Sequence, residues 1–298
     1  MNAAVRIGVN PLTWSNDDLP ELGGETPLDT CLAEGKAAGF EGFELGNKFP
    51  RDPAVLGPIL DRHGLALASG WFSGALLAQS VDDEIEALKP HVHLLKSLGC
   101  EALVYAEISA SIQGHYATPL SHRPRLRDDQ WQAFGEKLER LAAYTAGEGL
   151  KLAYHHHMGT IVETEQEVDR LMACTQEPVY LLLDTGHMVF AGGDPEAVAA
   201  RHASRIAHVH CKDVRRPIME ASRNRDTSFI DAVLAGAFAA PGDGCVDYPA
   251  VFRALHKADY RGWLIFEAEQ DPVIAPSLAT AQRAYQYLDH ETAAAGLR

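Results

Sequence analysis

Apolar residues along this chain fall into two alternating patterns. Short apolar or β-branched runs recur eight times, at Arg6–Val9, Phe40–Leu45, Leu65–Trp71, Ala102–Tyr105, Lys151–His155, Val179–Leu183, Ile206–His210 and Trp263–Phe266. None alternates strictly between apolar and polar residues, which suits strands buried on both faces. Helical spacing fills the intervals. Thr26–Ala38 opens with Thr-Pro and stops at Gly39. Val81–Leu98 repeats apolar residues at Ile85, Leu88, Val92 and Leu95, and Gln130–Gly147 does so at Phe134, Leu138, Leu141 and Tyr144. Thr164–Ala173 begins with the Thr164/Glu167 spacing of a capping box. Further helices are predicted from Asp194-Pro195, over Asp247–Lys257 with Pro249 in its first turn, and over Pro276–Leu288.

Eight strands alternating with helices over 298 residues predict a (β/α)8 TIM barrel, with residues 1–298 as one domain. A doubly wound sheet commonly carries a Gly-rich phosphate loop after its first strand. Here the chain reads Asn10-Pro11-Leu12-Thr13-Trp14. Two long insertions, Ile108–Asp128 and Val214–Val246, follow the fourth and seventh strands. Both fall on the C-terminal face, where barrels keep their active sites, and are expected to be lids or subunit contacts.

Charge narrows the partners. Forty-one acids against 26 bases give a formal charge of −15, which opposes binding to phosphate backbones and anionic lipid. No run approaches the ~20 apolar residues of a membrane span. The N-terminus lacks a basic segment followed by an apolar run, so no signal peptide is expected. The five cysteines are odd in number and form no CxxC, as in a reduced, cytoplasmic chain.

Polar residues collect at the predicted strand ends, which converge on one pocket in a barrel. The first four offer Asn10, Glu44 with Asn47-Lys48, Trp71, and Tyr105 with Glu107; the last four offer His155-His156-His157, Asp184 with His187, His208 with His210 and Lys212, and Glu267 with Glu269. His, Asp, His and Glu at four neighbouring ends suit a divalent metal with open positions. Period two puts His155 and His157 on one face and turns His156 away. Asp184, His210 and Glu267 are the expected ligands; the lesser reading of Asp184 is a turn cap, and His208, deeper in its strand, reads as structural. The acidic run Asp82-Asp83-Glu84 reads as a solvated helix start. No GxSxG, HExxH or P-loop motif is present.

These motifs resemble the xylose-isomerase-like barrels. The runs YAE with SIQGH, YHHHMGT, LLLDTGHMVFAGGDP, HVHCKDV and GWLIFEAEQDP are, within that superfamily, similar to the inosose dehydratases of myo-inositol catabolism. The resemblance covers about Asn10 to Pro272. It implies a metal, Mn²⁺ or Co²⁺, held by Asp184, His210 and Glu267 together with the strand-five position. That position is His155 here where the superfamily has Glu, with His157 and Glu107 as alternatives. It also implies loss of water from 2-keto-myo-inositol to give a trihydroxycyclohexane dione, through an enolate that the metal stabilises. Glutathione is implied by the resemblance alone.

On that chemistry His157 is the expected base, with Glu107 or Glu269 in reserve, and Glu107 or His187 the expected acid. Lys212 and Lys48 are expected to hold hydroxyls or the oxyanion, Trp14, Trp71 and Phe72 to stack on the ring, and Asn10 and Glu44 to bind substrate. A homo-oligomer, dimer or tetramer, is expected. The competing reading is a metal-dependent ketose isomerase or epimerase. An endonuclease and a non-enzymatic barrel are disfavoured, by the charge and by the number of ionisable strand ends respectively.

Overall fold

The computed structural model describes residues 5–17 and 19–298; residues 1–4, part of the N-terminal reading, lie outside the described residues. Eight strands, β1 (Val5–Val9), β2 (Gly42–Leu45), β3 (Ala66–Gly74), β4 (Ala102–Glu107), β5 (Lys151–His155), β6 (Val179–Asp184), β7 (Ile206–Cys211) and β8 (Gly262–Phe266), close into a barrel. Every neighbouring pair is parallel, and β1 closes against β8 over the register Val5–Gly262 to Val9–Phe266. All eight predicted runs are strands; Lys151–His155 matches at both ends and the others differ by one to three residues at one end or both.

The side chains of each strand divide between two cores. Inside the barrel, Val104, Ala153 and Leu182 pack together, as do Ala68, Trp263 and Ile265. Between strands and helices lies the larger cluster, including Leu103, Tyr105, Leu152, Tyr154, Leu181 and Leu183. Each fully buried Leu or Val there contributes about 1.5–3 kcal/mol of transfer free energy. Alternation between these two cores decides which strand-end residues reach the mouth.

The predicted helices are present, and a further one, Pro53–His63, joins β2 to β3. Pro53, Gly57 and Pro58 hide it in the sequence, yet Asp52 caps it through Ala54 N at 2.9 Å and Pro53 sits in the first turn, where proline costs nothing. The acidic start of Val81–Ser97 is only partly solvated. Glu84 is fully buried and accepts from Tyr105 Oη at 2.9 Å and Ala75 N at 3.0 Å, so that part of the expectation is corrected.

The insertion after β7 contains helices Arg216–Arg225 and Phe229–Leu234 and a two-residue antiparallel ladder, Asp213–Val214 with Phe238–Ala239. Its Phe229 and Phe238 form a satellite core with Phe190 and Met158 over the barrel mouth. The insertion after β4 is tied down by Ile112 N to Gly159 O (3.0 Å), Leu120 N to Thr227 O (3.1 Å) and Arg123 against Glu163 (3.1 Å) and Glu167 (2.8 Å). Among the described residues no helix is long and apolar enough to cross a membrane.

Candidate metal centre and active site

At the mouth, β5 to β8 deliver four side chains to one point. His155 Nε2 and His210 Nδ1 lie 3.7 and 3.5 Å from Asp184 Oδ2, and Glu267 Oε2 lies 2.7 Å from His210 Nδ1. All four residues are buried. The two readings of Asp184 turn out to be compatible. Its Oδ1 caps helix Thr185–Phe190 by accepting from His187 N at 2.7 Å, while Oδ2 is buried with no hydrogen-bond partner.

The contacts around these rings fix which nitrogens face the point of convergence. His155 Nδ1 donates to His156 O at 2.6 Å; a carbonyl can only accept, so Nε2 carries the lone pair facing Asp184. Burial, with His210 and His157 adding to it, holds the His155 pKa well below the ordinary imidazole range, which keeps the ring neutral. His210 Nε2 lies 3.0 Å from Glu44 Oε2, and its Nδ1 is turned toward Asp184 and Glu267. Burial disfavours a charge on His210, but Glu44 and Glu267 outweigh it and raise that pKa well above the ordinary value. Asp184 Oδ2 makes no hydrogen bond and lies 3.7 Å from both the His155 Nε2 lone pair and the Lys212 ammonium, at the point on which the four side chains converge. The donor set, two imidazoles and two carboxylates, therefore fits a divalent ion of the Mn, Co or Zn kind, with His155, Asp184, His210 and Glu267 as the residues that would hold it.

Above this point opens a cleft of about 240 Å³, lined by Asn10, Glu44, Trp71, His155, His157, His210, Glu267 and Glu269 among others. His157 Nδ1 donates to Met158 O at 2.8 Å, so its lone pair is on Nε2, and burial lowers its pKa to about 4. Trp71 stands edge-on to His155 and His157, with ring centroids 5.3 and 5.8 Å apart. Glu269 is buried at the same end, 3.2 Å from Lys212 Nζ.

Several expected site residues are placed otherwise. Glu107 faces the helices: Oε1 accepts from Ser109 N at 2.9 Å and Oε2 from Leu77 N at 3.2 Å. Phe72, on the same outer face, packs on Tyr105 and His91. Trp14 is buried, donates from Nε1 to Glu34 at 2.7 Å and packs on Phe43. Lys48 holds the carbonyls of Gly23 (3.2 Å), Gly24 (2.7 Å) and Thr26, strapping down the loop after β1. Lys212 and His187 lie behind the cleft lining, 2.9 Å from one another. Glu44 reaches the lining, but its carboxylate is engaged by His208 Nε2 (2.9 Å), His210 Nε2 (3.0 Å) and Asn10 Nδ2 (2.9 Å). Burial pushes the Glu44 pKa up, and the two histidines overrule it and hold it well below the carboxylate range. His208 is thereby a partner of Glu44 inside the barrel.

The lining also holds Asp17, Arg51, Ser73 and Gln113, which the sequence reading does not single out. Gln113 is buried with Oε1 unpartnered, and it comes from the insertion after β4. Its signals were the SIQGH run that carries part of the resemblance and the length of that insertion on the catalytic face.

Comparison with known proteins agrees with the barrel fold. The family model described as xylose isomerase-like TIM barrel matches residues 32–290. The chain is 53% identical to the rhizopine catabolism protein MocC of Rhizobium meliloti, over 99% of this chain and 91% of that one. It is 44% identical to the inosose dehydratase of Geobacillus thermodenitrificans (95% and 96% covered) and 40% to that of Clostridium perfringens (98% and 99%). Among solved structures, L-ribulose 3-epimerase superposes with a TM-score of 0.68 at 18% identity, covering 98% of this chain and 96% of that one. The IolI protein with a bound zinc atom superposes with a TM-score of 0.66 at 16% identity, covering 97% of each. At such identities these two likenesses speak for the fold. The chain belongs to the xylose isomerase-like TIM barrel family, and its full-length relatives within that family include the inosose dehydratases.

Proposed function

We propose that this protein removes water from 2-keto-myo-inositol, or a cyclic polyol ketone close to it, with a divalent metal at His155, Asp184, His210 and Glu267. Its kinship with inosose dehydratases makes it an enzyme, a carbon–oxygen lyase. The observation that carries the fuller reading is the pairing of a neutral His157, its Nε2 lone pair free, with a buried donor set that calls for a cation. When bound, such an ion supplies Lewis acidity, polarising a carbonyl and offsetting the charge that develops on its oxygen.

The residues of the chain do the rest. His157 takes the proton alpha to the ketone at Nε2, since Nδ1 is committed to Met158 O. The same nitrogen is the one route by which that proton returns to the cleft. Delivered to the beta hydroxyl, it completes the break of the C–O bond, and water leaves as the ring double bond forms. Enol-to-keto tautomerisation then gives the dione. Both transfers from one side of the ring make the elimination syn. Asn10, Gln113 and Glu269 line the cleft with donors and acceptors for the remaining hydroxyls, and Trp71 offers an apolar edge to the ring's C–H groups.

The test is turnover of 2-keto-myo-inositol by protein stripped with chelator and resupplied with Mn²⁺, Co²⁺ or Zn²⁺, following dione absorbance. Metal-dependent dione formation is expected. Stoichiometric metal with no dione overturns the substrate assignment and moves the activity to a ketose isomerase or epimerase.

A further inference from the structure

Behind the cleft lies a buried cation that the chemistry above does not use. Lys212 is fully buried. Its Nζ lies 2.7 Å from Glu267 Oε1, 2.9 Å from His187 Nε2, 3.2 Å from Glu269 Oε2 and 3.7 Å from Asp184 Oδ2. A buried charge is sustained only by such pairing. An ammonium offers three donors and no acceptor, so His187 presents the lone pair of Nε2 to it. Three carboxylates and an imidazole around one small cation form a donor set for a divalent ion. Here a side chain supplies the charge.

The turn after β6 secures this lysine. Thr185 Oγ1 accepts from Lys212 N at 3.1 Å and donates to Lys212 O at 2.8 Å. A Cβ on Gly186 would stand 2.5 Å from Lys212 Cγ and 2.9 Å from its carbonyl oxygen, so glycine is what lets the lysine stem pass. Asp184 and His187, the outer members of the same Asp-Thr-Gly-His run, face the ammonium. The run therefore serves Lys212 as fully as it serves the metal position.

Four ligand groups occur among the described residues; Glu44–His208–His210 shares His210 with His155–Asp184–His210, and neither has a member in common with His157–His187–Glu269. The fourth, Asp184–His187–Glu267, joins the last two. The ammonium touches His187 and Glu269 of the His157–His187–Glu269 group. We propose that Lys212 fills a second cation position of the centre, restricting the protein to one divalent ion, and that removing the ammonium turns His157–His187–Glu269 into a second metal site. The inference rests on the metal reading above.

The test is metal per chain, by plasma mass spectrometry, after chelator stripping, reloading with Mn²⁺ or Co²⁺ and dialysis. Wild type is expected to hold one ion, Lys212→Met two, and Lys212→Met with His187→Ala one again. Metal is also expected to raise the Tm of Lys212→Met by more than that of wild type, because it restores the missing charge. One ion per chain in a folded Lys212→Met overturns the proposal while leaving the metal reading intact. Calorimetric titration of wild type with Co²⁺ needs no variant, and two tight binding events there overturn the proposal as well. No ion in wild type overturns the metal reading and this inference with it.

Discussion

The ends of β4 and β5 are neighbours in the barrel and read alike as polar strand ends, yet only the β5 end brings its ionisable side chains into the cleft. The register pairs Val104 with Ala153 and Tyr105 with Tyr154. Val104 and Ala153 fill the barrel interior, whereas both tyrosines pack under the helices. Two residues on from each, the difference is carried to the mouth. His155 continues the parity of Ala153 and faces inward with His157; Glu107 continues the parity of Tyr105 and faces outward toward Leu77 and Ser109. Being acidic and near a strand end is therefore not enough. The parity inherited from the last bulky residue decides whether a side chain is chemistry or scaffold.

The largest test of this contrast is at its metal side. Asp184→Ala removes the partnerless Oδ2 and the cap on His187 N at once. Bound metal and dione formation are expected to vanish together, a greater loss than the roughly 10²–10⁴-fold of a deleted acid or base. Turnover retained without metal would break the assignment of the β6 end. Next come the two residues the contrast separates. His157→Gln is expected to keep one metal per chain and lose about 10²–10⁴-fold in kcat. Glu107→Gln is expected to stay within about threefold of wild type in kcat and lose on the order of 1 kcal/mol of stability. Equal kinetic losses in the two variants would mean that Glu107 reaches the cleft during turnover.

A smaller effect is expected from Glu44→Gln. Glu44 fixes His210 from behind, through Nε2, and so keeps Nδ1 available. Partners of this kind typically account for 10–100-fold in metal affinity. Competition with a coloured chelator should show a loss in that range, with kcat at saturating metal close to wild type. Unchanged affinity would restore Glu44 to the role of a plain substrate contact.

Much of this was legible in the sequence. The eight runs mark the eight strands because parallel barrel strands are apolar on both faces. Asp184 and Glu267 stand out because each follows an apolar run directly, where a carboxylate must be given a task. The misplacements share a cause. Trp14 and Lys48 sit close to strand ends in the chain, but loop geometry turns one into the core and the other along the loop after β1. Lys212 keeps its place beside the site, and its depth depends on Gly186, a contact between the segments following β6 and β7 that no local pattern records. Helix Pro53–His63 was hidden because Pro53, tolerated in a first turn, reads equally as a breaker, and because Pro58 lies inside the helix itself. Gln113 was visible only as a member of the SIQGH run, inside an insertion of the right length.

The finest test returns to Glu107 through pH. Burial raises its pKa, with Glu84 adding to the effect, against the opposing hydrogen bonds from Ser109 and Leu77. A carboxyl whose pKa is higher in the folded chain stabilises the fold fully below its unfolded value of 4.5. That contribution is lost as pH rises through the folded pKa. Glutamine cannot ionise and so holds its own contribution constant. The cost of Glu107→Gln should accordingly be greatest near pH 4 and shrink toward neutrality. The change is bounded by about 1.4 kcal/mol per pH unit. Denaturant unfolding of both proteins across that range reads it directly. A cost that grows with pH instead would mean an ionised Glu107 held by a positive partner, the opposite of an outward-facing residue buried under helices.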